Sequence, residues 1–255
     1  MPLLRLPLHS SIQQRQTIAL NLPEGIVLKG DLSPGEMMAN IAVIDYDMGN
    51  LHSACKGLAI AGATPHITDL AADLAAADAL VLPGDGAFDP AMRHLRSRDL
   101  IQPIKDAIAR GKPFLGICLG LQLLFDYSDE GQEAGLGIIP GHIKKFQPEP
   151  GITIPHMGWN QLTLTQPHCP LWSGIHDGDW VYFVHSYYAE PSDPQVMAAT
   201  TTHGSQTVTA AIAQETVMAM QYHPEKSAPA GLTMLANFVA LVNANTLNLA
   251  GSSRA

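Results

Sequence analysis

Phe114-Leu115-Gly116-Ile117-Cys118-Leu119-Gly120-Leu121-Gln122 decides the fold and points to the chemistry. Residues 114–117 form a short apolar run that reads as a buried strand, and helical spacing over residues 119–127 follows at once. Cys118 stands between them with a glycine two residues away on each side. That is the pattern of a nucleophile elbow with sulfur in place of oxygen. Such a turn holds its central residue in strained backbone, and flanking residues without side chains let the chain pass close to its neighbours. Unpaired N–H groups at the start of the following helix favour a thiolate and can donate to an oxyanion. The same pentapeptide also suits a buried structural cysteine at a tight turn, so the chemistry needs a second element.

Residues 41–45 and 79–82 are further apolar runs with the character of buried strands, and the second ends in Pro83-Gly84-Asp85-Gly86. Residues 49–61 and 100–110 have helical spacing, the latter closed by Gly111 and Pro113. Strands alternating with helices imply parallel βαβ units. The predicted fold is therefore α/β, an open, mostly parallel twisted sheet with helices on both faces. The second half changes character: residues 138–146, 161–165, 180–185, 195–202 and 217–221 are closely spaced strand-like runs, so antiparallel strands are expected there. A final helix over 230–242 is expected to pack back on the sheet. The main domain is placed at 39–243. Residues 1–38 are expected to be a weakly ordered extension, with Met37-Met38 a possible alternative start, and 244–255 a frayed tail.

Fourteen Lys and Arg against 23 Asp and Glu give a charge of −9, which argues against general nucleic-acid binding. No run approaches the roughly 20 apolar residues that span a bilayer. Pro2, Pro7, His9, Gln13 and Gln14 interrupt any apolar stretch of signal-peptide length. Cys55, Cys118 and Cys169 form no C-x-x-C pair and leave an odd thiol in any disulfide scheme, which fits a reducing, cytoplasmic compartment. No spacing of His, Asp or Glu makes a metal site, and no phosphate or dinucleotide loop is present, so no cofactor is expected.

A cysteine nucleophile needs a base, and the base needs a group that holds its tautomer. His223-Pro224-Glu225 supplies both. If the segment is extended, as proline encourages for the residue before it, side chains 223 and 225 point to one side. Because it follows the strand-like run 217–221, it should lie at a strand's carboxyl end, where open α/β sheets place their sites.

The elbow with Gln122, joined to His223-Pro224-Glu225, resembles the class I, or triad, glutamine amidotransferases. Pro155-His156-Met157-Gly158-Trp159-Asn160, Tyr182-Phe183-Val184-His185-Ser186-Tyr187 and His223-Pro224-Glu225-Lys226-Ser227 are similar to the glutaminase subunits of imidazole glycerol phosphate synthases, which serve histidine biosynthesis. The resemblance covers roughly residues 40–242. It implies hydrolysis of L-glutamine through a Cys118 thioester, with His223 as base and Glu225 orienting it. One oxyanion donor would be Leu119 N–H and the other would come from the loop holding Gly84 and Gly86. Gln122, His185, Ser186 and Tyr187 would contact substrate, and Asn50, His156, Trp159, Asn160 and Lys226 would face a partner. That partner would be a separate (β/α)8-barrel synthase subunit, giving a heterodimer. It would take ammonia through a channel and make imidazole glycerol phosphate and an aminoimidazole carboxamide ribotide. The barrel needs roughly 250 residues of its own, which this chain cannot supply.

One residue departs from the family pattern, in which Pro-Gly-Val-Gly is usual: this chain has Asp85. A carboxylate near a developing oxyanion is unfavourable, so Asp85 is expected to point away from the nucleophile. Competing readings are an amidotransferase serving another synthase, a thiol hydrolase or protease, and a degenerate subunit that only scaffolds its partner. The Pro-His-Met-Gly-Trp-Asn segment disfavours the first, Gln122 with Glu225 the second, and the complete triad the third.

Overall fold

A computed structural model describes residues 38–252. The expected extension therefore lies outside the described residues, apart from Met38. The chain runs β1 (Asn40–Ile44), α1 (Leu51–Ile60), β2 (Thr64–Thr68), α2 (Ala71–Ala76), β3 (Ala79–Gly84), α3 (Phe88–Ser97), α4 (Ile101–Ala109), β4 (Phe114–Cys118) and α5 (Leu119–Gln122). It continues through β5 (Tyr127–Ser128), β6 (Gly141–Lys145), β7 (His156–Gln161), β8 (Thr163–Leu164), β9 (Trp180–His185), β10 (Tyr187–Pro191), β11 (Met197–His203), β12 (Gln206–Gln214), β13 (Val217–Met220) and α6 (Ala228–Ser252).

An eight-stranded sheet has the order β2-β1-β3-β4-β13-β12-β11-β8. The first five strands are parallel and the last three antiparallel, as the change of character between the two halves of the sequence implies. Alternation along the buried strands divides the core between the two faces. Ile41, Val43, Val81, Ile117, Met218 and Met220 pack with Leu58 of α1 and Leu235 and Phe238 of α6. Ala42, Ile44, Leu80, Leu82, Phe114 and Ala219 pack with Met92 of α3, Ile104 of α4 and Leu121 of α5. β5, β6 and β10 form a small second sheet, and β7 and β9 a separate antiparallel ribbon.

Two helix boundaries differ from the sequence expectation. The helix expected over 119–127 ends at Gln122. The carbonyls of Leu123, Leu124 and Phe125 accept from the N–H groups of Leu136, Ile138 and Gly137, a lateral pairing that withdraws the groups a helix would use. At the other end α6 runs on to Ser252, past the expected Val242. No glycine or proline interrupts 243–250, so nothing local stops it. The edge strand β2, with burial on both faces incomplete, and the short alanine-rich α2 offered no periodic signal and were not foreseen. Neither were α3, β7, β10 and β12.

Candidate active site

β4 lies between β3 and β13, and the three parallel carboxyl ends form one edge. Gly84 pairs with Cys118 on one side, and Ile117 pairs with Met220 on the other, three residues before His223. The topology alone thus places the Pro83–Gly86 loop and the His223 turn on opposite flanks of Cys118.

Cys118 has φ 55° and ψ −108°, outside the regions comfortable for an L-residue. Strain of this kind costs on the order of 1–3 kcal/mol and persists only where the surroundings impose it. They do so here by close packing. A Cβ on Gly120 would stand 1.8 Å from Leu82 O, and one on Gly116 would stand 2.7 Å from Gly120 O. The bare flanks let β4 and α5 close against β3, and that closure aims the cysteine out of the sheet edge.

His223 is fixed through its backbone, its N–H donating to Tyr182 O at 3.0 Å and its carbonyl accepting from Ser227 Oγ at 2.6 Å. It is extended, as the following proline dictates, but Pro224–Lys226 then forms one 3-10 turn rather than continuing extended. The turn curls Glu225 back so that its Oε1 accepts from His223 Nδ1 at 2.8 Å, with both side chains 3% exposed. A carboxylate acceptor places the proton on Nδ1 and turns Nε2 toward the thiol side. Nε2 has no hydrogen-bond partner among the described residues. Burial pushes the imidazole toward neutrality, yet Cys118 and then Glu225 outweigh it and hold His223 up at about 10. An imidazole held there keeps its proton at neutral pH.

Asp85 turns toward the imidazole, its Oδ1 lying 3.8 Å from His223 Nε2. The repulsion argument considered only the sulfur; a cationic imidazole beside it offers the carboxylate an attractive partner, and the side chain remains 47% exposed. Tyr46, which donates to Pro83 O at 2.9 Å, braces the same loop. Burial, then the neighbouring Cys118 and Asp85, raise its pKa so that it stays a donor.

A cavity of about 250 Å³ opens beside Cys118, lined also by Gly86, Leu119, Gln122, His185, Ser186 and Tyr187. Gly84 is not part of the lining; it serves as the strand end that lets Tyr46 and Leu119 approach, a Cβ there meeting Tyr46 Oη at 2.2 Å. Glu130, Pro155 and Val184 line the cavity and were missed in the sequence. Glu130 Oε2 accepts from Phe88 N–H at 2.8 Å, a contact 42 residues distant along the chain that no local pattern reveals.

His185 is linked to His156 in a buried relay. His185 Nδ1 donates to Tyr187 O at 2.8 Å, His156 Nδ1 donates to His185 Nε2 at 3.1 Å, and Asn160 Nδ2 donates to His156 Nε2 at 3.1 Å. Each neutral ring gives one bond and takes one, which settles both tautomers. Burial first, and the neighbouring histidines, lower His156 to about 4 and His185 to about 3, although the bond to Tyr187 O opposes the shift at His185. The structure corrects the placing of His156 on a partner-facing surface. Alternation along β7 turns His156 inward, stacked on Phe183 and His203, while Met157 and Trp159 face out. Asn160 is half-buried and engaged by His156 and by Thr202 O. Trp159 stands with Met157 and Trp180 on the exposed face of the ribbon, Lys226 is exposed, and Asn50 is exposed with its side chain accepting from Ser53 N–H to cap α1. Among the described residues no group of three or more His, Cys, Asp and Glu is placed to hold a metal ion, and no helix is long and apolar enough to cross a membrane.

A strained cysteine, a carboxylate-oriented imidazole and a small cleft at the carboxyl ends of a doubly wound sheet define a thiol acyl-transfer site of the triad type. The chain belongs to the class-I glutamine amidotransferase family, whose model matches residues 42–242. Within that family it is 68% identical over 210 residues to the imidazole glycerol phosphate synthase subunit HisH of a Cyanothece strain, covering 82% of this chain and 100% of the relative. It is 68% identical over 202 residues to the HisH subunit of Gloeothece citriformis, covering 79% and 96%. In fold it is similar to PurLQS from Thermotoga maritima, with a TM-score of 0.61, 21% identity and coverage of 83% and 100%. It is also similar to the glutaminase domain of Trypanosoma brucei CTPS, with a TM-score of 0.57, 15% identity and coverage of 80% and 94%.

Proposed function

We propose that this chain is the glutaminase subunit of an imidazole glycerol phosphate synthase and that Cys118, His223 and Glu225 are its catalytic triad. L-glutamine occupies the cavity beside Cys118 with its side-chain amide at the sulfur. Cys118 Sγ attacks the amide carbon after its proton has passed to His223 Nε2. The same Nε2–H then goes to the departing nitrogen, releasing ammonia and leaving a thioester. Water, deprotonated by the imidazole, opens the thioester to glutamate and restores the thiol. Glu225 keeps Nδ1 protonated throughout and stabilises the imidazolium. Leu119 N–H is one oxyanion donor, and the Gly84–Gly86 loop is the source of the other. Losing such a donor typically costs on the order of a hundredfold or more in rate. Glu130, the acidic side chain in the lining, suits the substrate's α-ammonium, and the Ser186 and Tyr187 backbone suits its carboxylate end.

Ammonia is largely protonated in neutral water and then no longer a nucleophile, so release into solvent wastes it. A (β/α)8-barrel cyclase subunit that receives it directly is the partner proposed. The exposed Met157, Trp159 and Trp180 face of the β7–β9 ribbon, with Lys226 and Asn50, is the candidate docking surface, since interfaces favour Trp and Met. The observation that carries the reading is the Cys118 elbow with the Glu225–His223 pair at the adjoining strand end. Glutamate release from glutamine, with and without the cyclase subunit and its nucleotide ligand, tests it. Strong stimulation that vanishes in Cys118→Ala is the expected result; no turnover in an otherwise stable complex would favour a scaffold instead.

A further inference from the structure

Gln221 is a wholly buried amide at the end of an apolar strand, two residues before His223. Its backbone N–H is already bound to Ala210 O at 2.8 Å, so the sheet has no use for the side chain. The side-chain amide sits instead between two members of the site. Its Oε1 accepts from Gln122 Nε2 at 3.2 Å, and its Nε2 is directed at Cys118 Sγ at 3.8 Å.

This arrangement fixes the orientation of a second amide. Gln122 Nε2 also donates to Tyr187 O at 3.2 Å, and a backbone carbonyl can only accept. Both hydrogens of Gln122 Nε2 are thereby taken, one by Tyr187 O and one by Gln221 Oε1. The atom left for the cavity, which Gln122 lines, is its Oε1. Rotating the Gln122 amide would set oxygen against oxygen at both contacts. Without Gln221 one buried hydrogen would lose its acceptor, and leaving such a donor unmet is costly enough to release the side chain from this pose.

We infer that Gln221 is a positioning residue: it clamps the Gln122 amide with its oxygen toward the cavity and keeps a donor on the Cys118 sulfur. The cleft so built asks its ligand for an N–H donor at Gln122, and L-glutamine has donors at both its amide and its α-ammonium. The same clamp joins the nucleophile to the relay behind it, because Tyr187 O accepts from His185 as well as from Gln122.

The inference rests on the glutaminase reading, and the test separates the two. Full-length protein is treated with iodoacetamide over a range of L-glutamine concentrations, and labelling of Cys118 is followed by peptide mass. In Gln221→Met, similar in length but without the amide, about five to ten times more glutamine should be needed for half-protection, the loss of one neutral hydrogen bond. Labelling without glutamine should also slow severalfold, because the sulfur has lost a donor. In the Gln122→Met background the Gln221 change should raise the protecting concentration no further, an outcome that general loosening of the fold would not produce. Wild-type protection and labelling in Gln221→Met, or an effect that multiplies through in the double variant, overturns the clamp. Gln221→Asn, too short to reach both partners, gives the same readout if the methionine variant fails to fold. If glutamine does not protect the wild type, the glutaminase reading fails, and the labelling rates alone still decide whether Gln221 holds the sulfur.

Discussion

Replacing Asp85 by asparagine keeps the shape of the side chain and removes its charge from beside the imidazole. At 3.8 Å, two unit charges interact by about 1 kcal/mol in a water-like medium and about 4 kcal/mol at an effective dielectric constant of 20. Asp85 is half-exposed, so solvent screening selects the lower figure, about 1 kcal/mol. That energy stabilises the imidazolium, which makes His223 a weaker acid by about 0.7 pH unit. His223 stands at about 10, already above the pH at which a general acid works best. Asp85→Asn should therefore make proton delivery to the departing nitrogen easier. At saturating glutamine and neutral pH, glutamate release by the chain should rise about twofold to fivefold, since only part of the change in acidity reaches the transition state. The basic limb of the kcat/KM profile should move down by about 0.7 pH unit, and the difference from wild type should shrink as salt is added. A fall in turnover, or an unchanged basic limb, would refute the reasoning.

The two lowered histidines make a signed prediction about acid stability. A group whose folded pKa lies below its unfolded value destabilises the fold as pH falls through the unfolded value. For His185 the loss begins near pH 6.5 and continues toward about 3. By pH 5 it amounts to about 2 kcal/mol, to which His156 adds in the same window. Urea denaturation at pH 7.5 and pH 5 checks this, and His185→Gln should reduce the difference by about half; equal wild-type midpoints at both values would contradict it. Gly120→Ala should disrupt the fold itself, because the added carbon would stand 1.8 Å from a backbone oxygen that cannot rotate away. A loss of at least about 4 kcal/mol is expected from chemical denaturation, and a stable, active alanine variant would show that β3 and α5 can separate.

How much of this was legible beforehand depended on range. The buried strands β1, β3 and β4 announced themselves as apolar runs, and the elbow glycines carried their reason with them, since only a bare Cα fits under Leu82 O. His223 and Glu225 were readable as a pair because they are two residues apart, although the 3-10 turn that joins them replaced the extended geometry expected. Asp85 was visible as an anomaly, but its direction depended on a cation more than a hundred residues away in sequence. The inward turn of His156 required knowing that 156–161 is a strand, and the signature segment offered an unbroken polar and aromatic mixture rather than alternation. Gln221 did leave a trace, a polar residue closing an apolar strand, but its meaning depends on Gln122 and Cys118 meeting it across the sheet.

The left-handed backbone of Cys118 sets the interests of the fold against those of the reaction. Glycine would occupy φ 55° without strain, so the position proposed as the nucleophile is one that stability alone would fill differently. A population of variants ranked only by melting temperature or yield should drift toward Cys118→Gly and discard the nucleophile early. Retention of cysteine under such ranking would mean that the elbow bears little tension. Selection for a hardier form of this protein must therefore read ammonia production as well as folding, because the sturdiest version of the turn is an inert one.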